Sequence, residues 1–197
     1  MATYQTYTAI GQREDLSDVI YNISPTDTPF MSSVGKTKAT AVYHEWQTDS
    51  LAAAALNVAV EGATASDATM SPTSRVGNRC QISQKTIKIS NTLNAVDKAG
   101  RKSEKAYQLA KASAEIKRDM ETSLLSNQVA SNGDSTTARK LGGLQAWLAT
   151  NGSFGTSGSA GASGTTARTN GTNRTFTEAL LQSVVKSVYS SGGNPKC

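Results

Sequence analysis

The sequence predicts an α+β chain whose elements do not close around a single core of their own. Three observations carry that expectation. Residues 102–127, KSEKAYQLAKASAEIKRDMETSLLSN, bring Leu109, Ile116, Met120 and Leu124 to one side of a helix, with Ala106 and Ala110 beside them. Residues 41–47, AVYHEWQ, alternate as a strand, with Val42, His44 and Trp46 facing one way and Tyr43, Glu45 and Gln47 the other. The stretch that follows, DSLAAAALNVAVEGATASDATMSPTSRVGN, has little sign of a compact core and is too long for a structureless loop inside a compact domain. It reads as a projecting β-excursion that becomes ordered on a neighbour.

The elements follow in order. Residues 1–40 read as an extended arm with two short helical pieces. The first is Glu14–Tyr21, where Leu16, Val19 and Ile20 share a face. Turn chemistry, NISPTDTP, separates it from the second at residues 29–34. There Thr28 or Asp27 can cap, Pro29 suits the first turn and Gly35 suits the position past the end. Phe30, Met31 and Val34 then form an apolar knob that needs a surface to bury it. Inside the excursion, LAAAALNVAV can also be read as a helix, broken by Glu61-Gly62. CQISQKTIKI, residues 80–89, reads as the second strand, and its change of apolar parity between Ile82 and Ile87 suggests a bulge.

The long helix carries Lys111, Glu115, Arg118, Asp119 and Glu121 on its polar side, and at 1.5 Å per residue should run about 36 Å. Arg139–Thr150 holds an apolar cluster of Leu141, Leu144, Trp147 and Leu148 after a glycine pair. NGSFGTSGSAGASGTTARTNGTNRT follows, and its Gly, Ser and Thr content predicts a flexible surface loop. Thr175 to Glu178 makes a capping box that opens a last helix, striped by Leu180, Leu181, Val184, Val185 and Val188. Gly192-Gly193-Asn194-Pro195 stops it.

Composition excludes several function classes. The length of 197 residues allows one large or two small domains. No apolar run is long enough for a membrane span, and the N-terminus has no secretory pattern, so Asn151, Asn170 and Asn173 are not expected to be glycosylated. Cys80 and Cys197 are too few for a disulfide scaffold, and with His44 the only histidine a metal site is not expected. Gly35-Lys36-Thr37 ends like a phosphate-binding loop, but Phe30 stands where its first glycine belongs and no buried strand precedes it. No cofactor and no catalytic constellation is expected. His44 lacks an acid and a nucleophile beside it and reads as a strand-surface residue.

Charge is unevenly spread. Between Arg75 and Arg118 there are eleven Lys/Arg and three Asp/Glu, a balance of +8, against +5 for the whole chain and hence −3 for the rest. Such a tract suits non-specific nucleic-acid contact or simply a solvated helix face. No zinc finger, stacking motif or recognition helix accompanies it, so base-specific reading is not expected.

Four segments together resemble the tailed-bacteriophage major capsid proteins of the Hong Kong 97 fold. They are DLSDVIYNISPTDTPF (Asp15–Phe30), AVDKAGRKSEKAYQLAKASAEIKRDME (Ala95–Glu121), RKLGGLQAWLATN (Arg139–Asn151), and RTFTEALLQSV (Arg174–Val184) with GGNP (Gly192–Pro195). The resemblance implies an N-terminal arm at 1–40, an extended β-hairpin loop at 41–90, a spine-helix region at 91–127, and the start of a compact peripheral and axial α/β domain at 128–197. It implies a structural subunit, not an enzyme, that joins identical copies in an icosahedral shell around double-stranded DNA, assembled in the bacterial cytoplasm. The inter-subunit contacts expected are Phe30, Met31, Val34, Val42 and Trp46, and the DNA-facing residues Lys111, Lys117 and Arg118. Family members continue beyond the GGNP turn, so the resemblance also implies a missing part of the axial domain. A second chain supplying it, or a shortened product that modifies assembly, would account for that. A small basic DNA-binding protein is the competing expectation.

Overall fold

Thr28 accepts the backbone hydrogen bond of Ser32 at 3.1 Å and Pro29 presets the first φ, so the second apolar piece of the arm does fold as a helix, α1 (Pro29–Ser33). The structure is a computed structural model that describes Tyr7, Ile10 and residues 15–195. After α1 come β1 (Tyr43–Thr48), β2 (Ser74–Arg79), α2 (Asn91–Ala95), α3 (Glu104–Leu125), α4 (Leu144–Trp147) and α5 (Glu178–Ser190). Helices and strands are mixed, as in an α+β chain. They fall into two units: Met1–Ser32 with Gln84–Asp119, and Ser33–Ser83 with Met120–Cys197.

In the first unit the arm departs from expectation. Residue 14 lies outside the described residues, and 15–21 are not helical. So short a helix is marginal without packing, and a competing tether is present: Asp18 Oδ1 accepts the Gly100 N–H at 3.1 Å. Gly100 sits at φ +75°, and a Cβ there would lie 2.9 Å from Ile20, so only glycine lets the arm lie this close. Ser90 caps α2 by accepting from Leu93 N at 3.2 Å, an element the hydrophobic pattern does not reveal.

The long helix forms where periodicity places it, but the expected face turns inward only in part: Ile116 and Leu124 are half-buried, while Leu109 and Met120 are exposed. Glu104 and Ala112 are its buried residues, whereas Leu109 is 57% exposed. Polar bonds accompany this face, local ones at its start and one from outside the helix. Glu104 bonds Gln108 at 2.8 Å and also Arg101, and these two partners hold its carboxyl below the usual range. Lys85 reaches Glu115 at 2.9 Å and Asp119 at 3.6 Å.

In the second unit β1 pairs antiparallel with β2, and the register runs from Tyr43 opposite Arg79 to Thr48 opposite Ser74. The second strand is therefore SRVGNR and not residues 80–89, which are not strand. The pattern misleads here because β2 is held by its ladder and by polar cross-strand pairs, not by an apolar face. Residues after it anchor through side chains: Gln128 Nε2 donates to Gln81 Oε1 at 2.9 Å and to Leu141 O at 2.8 Å.

The Gly/Ser/Thr stretch after α4 is the largest correction, because it is ordered. Bridges Ser159–Thr169 and Ala162–Thr166 fold it into a narrow hairpin. Gly164 N–H donates to Ala146 O at 3.0 Å, Gly164 O accepts from Ala130 N at 2.8 Å, and Gly161 N–H donates to Leu148 O at 3.2 Å. Asn127 closes the base with paired bonds to Arg168, at 2.6 Å to its carbonyl and 2.8 Å from its N–H. Composition counts side-chain burial, which is small here; the ordering comes from backbone pairing that absent Cβ atoms permit. Ala146, beneath the hairpin, is fully buried. Nearby, Asp134 accepts both backbone and hydroxyl bonds from Thr136 and a backbone bond from Thr137, which lowers its pKa to about 2.

Helix α5 starts two residues later than a Thr175 cap would require. Thr177 is its N-cap, and Glu178 is engaged by Gln182 at 2.8 Å instead of reaching back. Leu180, Val184 and Val188 are half-buried, while Leu181 and Val185 of the same stripe stay exposed. The glycine stop forms as expected, with Gly192 at φ +84° and Gly193 N–H on Val188 O at 2.9 Å.

Gly164 tests the backbone-pairing account. It sits at φ +73°, and a Cβ would lie 2.7 Å from Trp147 Nε1. Gly164→Val should therefore destabilise the second unit by about 2–4 kcal/mol, combining backbone strain with overpacking, as read by denaturant unfolding.

Candidate functional site

The paired strands form a ribbon with two unlike faces. On one, Glu45 pairs with Arg75 at 3.0 Å, Arg79 lies over the Tyr43 ring at 4.2 Å, and Gln47 accepts from Thr73 at 3.0 Å. These exposed pairs stiffen the ribbon across its strands, each contributing little singly. Gly77 is required beneath them, since a Cβ would meet Glu45, Tyr43 and the His44 carbonyl at under 3 Å. On the other face, His44 and Trp46 have ring centroids 6.0 Å apart, and Trp46 stacks on Trp147 of α4 at 5.3 Å. Asn78 on the same face makes paired bonds with Gly142, donating to its carbonyl at 3.0 Å and accepting its N–H at 2.8 Å.

Beyond the ribbon, residues 49–73 form neither helix nor strand. One turn organises them: Ala63 N–H donates to Val60 O at 3.0 Å, with Gly62 at φ +81°. The side chains leading to that turn are almost bare, with Leu51 98%, Leu56 94%, Val58 87% and Val60 81% exposed. Leu56, Val58 and Val60 recur at every second position, the spacing that puts side chains on one face of a strand. Asp49, Glu61 and Asp67 are the only charged residues of the excursion.

The expected contact residues are not all alike. Phe30 and Met31 are half-buried, whereas Val34 and Val42 are exposed. Trp46 keeps 40% of its surface exposed although Trp147 covers one side of its ring. The three expected DNA-facing residues are exposed but do not form one patch. Lys111 and Arg118 lie seven residues apart on one side of α3, and Lys117 points about 100° away from Arg118. Lys111 Nζ is 3.9 Å from Glu115 Oε1, a carboxyl already engaged by Lys85 and held below its usual range chiefly by that bond.

Sequence reasoning missed Asn78, Lys85 and Trp147 as organising residues. Lys85 lies far from α3 in sequence, and no spacing rule connects it to Glu115. Trp147 was legible as part of an apolar cluster, but its stacking partner was not. Among the described residues no helix is long and apolar enough to cross a membrane, and no group of three or more His, Cys, Asp or Glu is placed to hold a metal ion.

Comparison with known proteins gives these features a context. The family profile described as SU10 major capsid protein matches residues 2–197. Over 126 residues the chain is 41% identical to the major capsid protein of Escherichia phage Phieco32, a match covering 64% of this chain and 36% of that protein. The chain thus spans about a third of the length of the curated relative it matches. A profile match across almost every residue leads to one conclusion: the chain belongs to the SU10 major capsid protein family.

Proposed function

We propose that the chain is a structural, non-enzymatic subunit of an icosahedral bacteriophage shell of the Hong Kong 97 type, joined to identical copies around packaged double-stranded DNA. The observation that carries the reading is the excursion, whose large apolar side chains find no cover in their own chain. In this reading 1–40 is the arm, 41–90 the extended loop, 91–127 the spine region and 128–197 the start of the peripheral and axial domain. Phe30, Met31, Val34, Val42 and Trp46 supply contacts between copies, together with the excursion. Many weak contacts made at once in a closed lattice give a stable particle, which no single contact need do. The open side of α5, at Leu181, Val185 and Tyr189, would be covered by further axial-domain polypeptide, from this or another chain. Assembly in the host cytoplasm belongs to the same reading. A stand-alone DNA-binding role draws little support from α3, where Lys117 points away from the side that Lys111 and Arg118 share and Lys111 lies 3.9 Å from Glu115.

Electron microscopy and sedimentation of the purified chain test the reading. The expected result is large uniform particles. Replacing Leu56, Val58 and Val60 with Ser should abolish them and leave the unfolding of the isolated chain unchanged. Wild type that stays a small species at every concentration would contradict the proposal.

Lys111, Lys117 and Arg118 are proposed to offset DNA charge inside the shell by non-specific contact, a term that weakens steeply with salt. Changing all three to Gln should lower the DNA retained per particle, measured by absorbance ratio. Unchanged retention would remove the assignment.

A further inference from the structure

The excursion is a lever, and its fulcrum is small. The β1–β2 ladder ends at Thr48 and Ser74, while the turn that reverses the excursion lies at Glu61-Gly62. Glu61 lies thirteen positions after Thr48, a reach of up to ~43 Å at ~3.3 Å per step. A tilt of about 10° at the base would move such a tip by roughly 7 Å, more than the width of a strand-to-strand spacing. The accuracy of any contact made at the tip is therefore decided at the base.

At the root of the ribbon, Arg139 Nε donates to Cys80 O at 2.6 Å and Leu141 N–H to Gln81 Oε1 at 3.3 Å. On the face carrying Trp46, two contacts made by the strands themselves hold its direction. One is the stack of Trp46 on Trp147, centroids 5.3 Å apart with 28° between planes. The other is the paired hydrogen bond between the Asn78 amide and both backbone groups of Gly142. Both partners sit on firm ground. Gly142 is buried, and a Cβ there would lie 2.9 Å from the Gly164 backbone. Trp147 lies beside the fully buried Ala146 and against Gly164, so its ring cannot shift without disturbing the glycine hairpin. The cross-strand pairs on the opposite face join β1 to β2 and do not join the ribbon to anything else. They keep the ribbon stiff without fixing its direction.

We propose that Trp46 and Asn78 are positioning residues that set the angle at which the ribbon and its excursion leave the body of the second unit. On the shell reading, on which only this consequence rests, they also set the curvature at which copies meet, and hence particle diameter.

Two readouts separate these statements. In a background with Cys80 and Cys197 changed to Ser, spin labels at Glu61→Cys and Ser135→Cys report the tip-to-body distance in the unassembled chain. Trp46→Ala should at least double the width of that distance distribution, Asn78→Ala should widen it less, and Trp46→Phe, which still stacks, should keep the wild-type width. An unchanged width in Trp46→Ala overturns the proposal. So does loss of cooperative unfolding in both Trp46→Ala and Asn78→Ala, which would make the contacts general supports. In particles, Trp46→Ala should give mixed diameters and Trp46→Phe a uniform one. Uniform wild-type diameters from Trp46→Ala overturn the curvature consequence, whereas absence of particles from wild type removes the shell reading and leaves the distance result standing.

Discussion

Everything in this chain follows from how little apolar surface it can bury within itself. Its buried hydrophobic side chains among the described residues are Ala112 and Ala146. Larger ones lie outside: Leu51, Leu56, Val58, Val60 and Met70 are each more than 80% exposed. Burying five such side chains is worth roughly 8–15 kcal/mol at 1.5–3 each. That equals the whole stability of a typical domain, about 5–15 kcal/mol. A stabilisation of that size, left uncollected by the single chain, is the strongest physical argument that other copies collect it.

What the second unit does build, it builds from backbone. Gly142, Gly143, Gly161 and Gly164 are buried around Ala146 and the Trp147 ring, and main-chain hydrogen bonds take the place that interdigitated side chains hold in an ordinary core. The ribbon is fastened to this platform by an aromatic stack and an amide pair, and just past β2 by the bonds of Arg139 to the Cys80 carbonyl and of Gln81 to Leu141 and Gln128. A rigid platform with a thin attachment lets an apolar segment project without carrying the unit's own stability. The segment is then available to a neighbour, and its loss or alteration need not unfold the chain.

Legibility in the sequence divided along the same line. Elements driven by side-chain period or local capping were readable: α3 from its repeated apolar positions, α1 from Pro29 and Gly35, β1 from the alternation around His44, and the stop of α5 from Gly192. Elements driven by pairing partners were not. SRVGNR has no apolar alternation, so β2 was sought a few residues downstream. The hairpin at 159–169 has no large apolar side chain to count, so its order was invisible. The inward face of α3 was legible only in part, since Ile116 and Leu124 are half-buried but Leu109 is exposed, and the Lys85 bond to Glu115 from outside the helix has no sequence signal. Of the candidate contact residues, the exposure of Val34, Val42 and the excursion followed from their isolation in the pattern. That Lys111 and Arg118 share one side of the helix and Lys117 does not follows from their spacing alone.

Hydrogen exchange of the excursion amides, compared between the unassembled chain and purified particles, measures the central claim most directly. Amides from Leu51 to Val60 have almost no hydrogen-bonded partners in the single chain, apart from Val58 N–H on Leu56 O, and should exchange at nearly unstructured rates there. In particles the same amides should slow by about a hundredfold or more as a neighbour covers them. Particles in which Leu51–Val60 exchange as fast as in the free chain would show that no copy collects this burial, and would contradict the account.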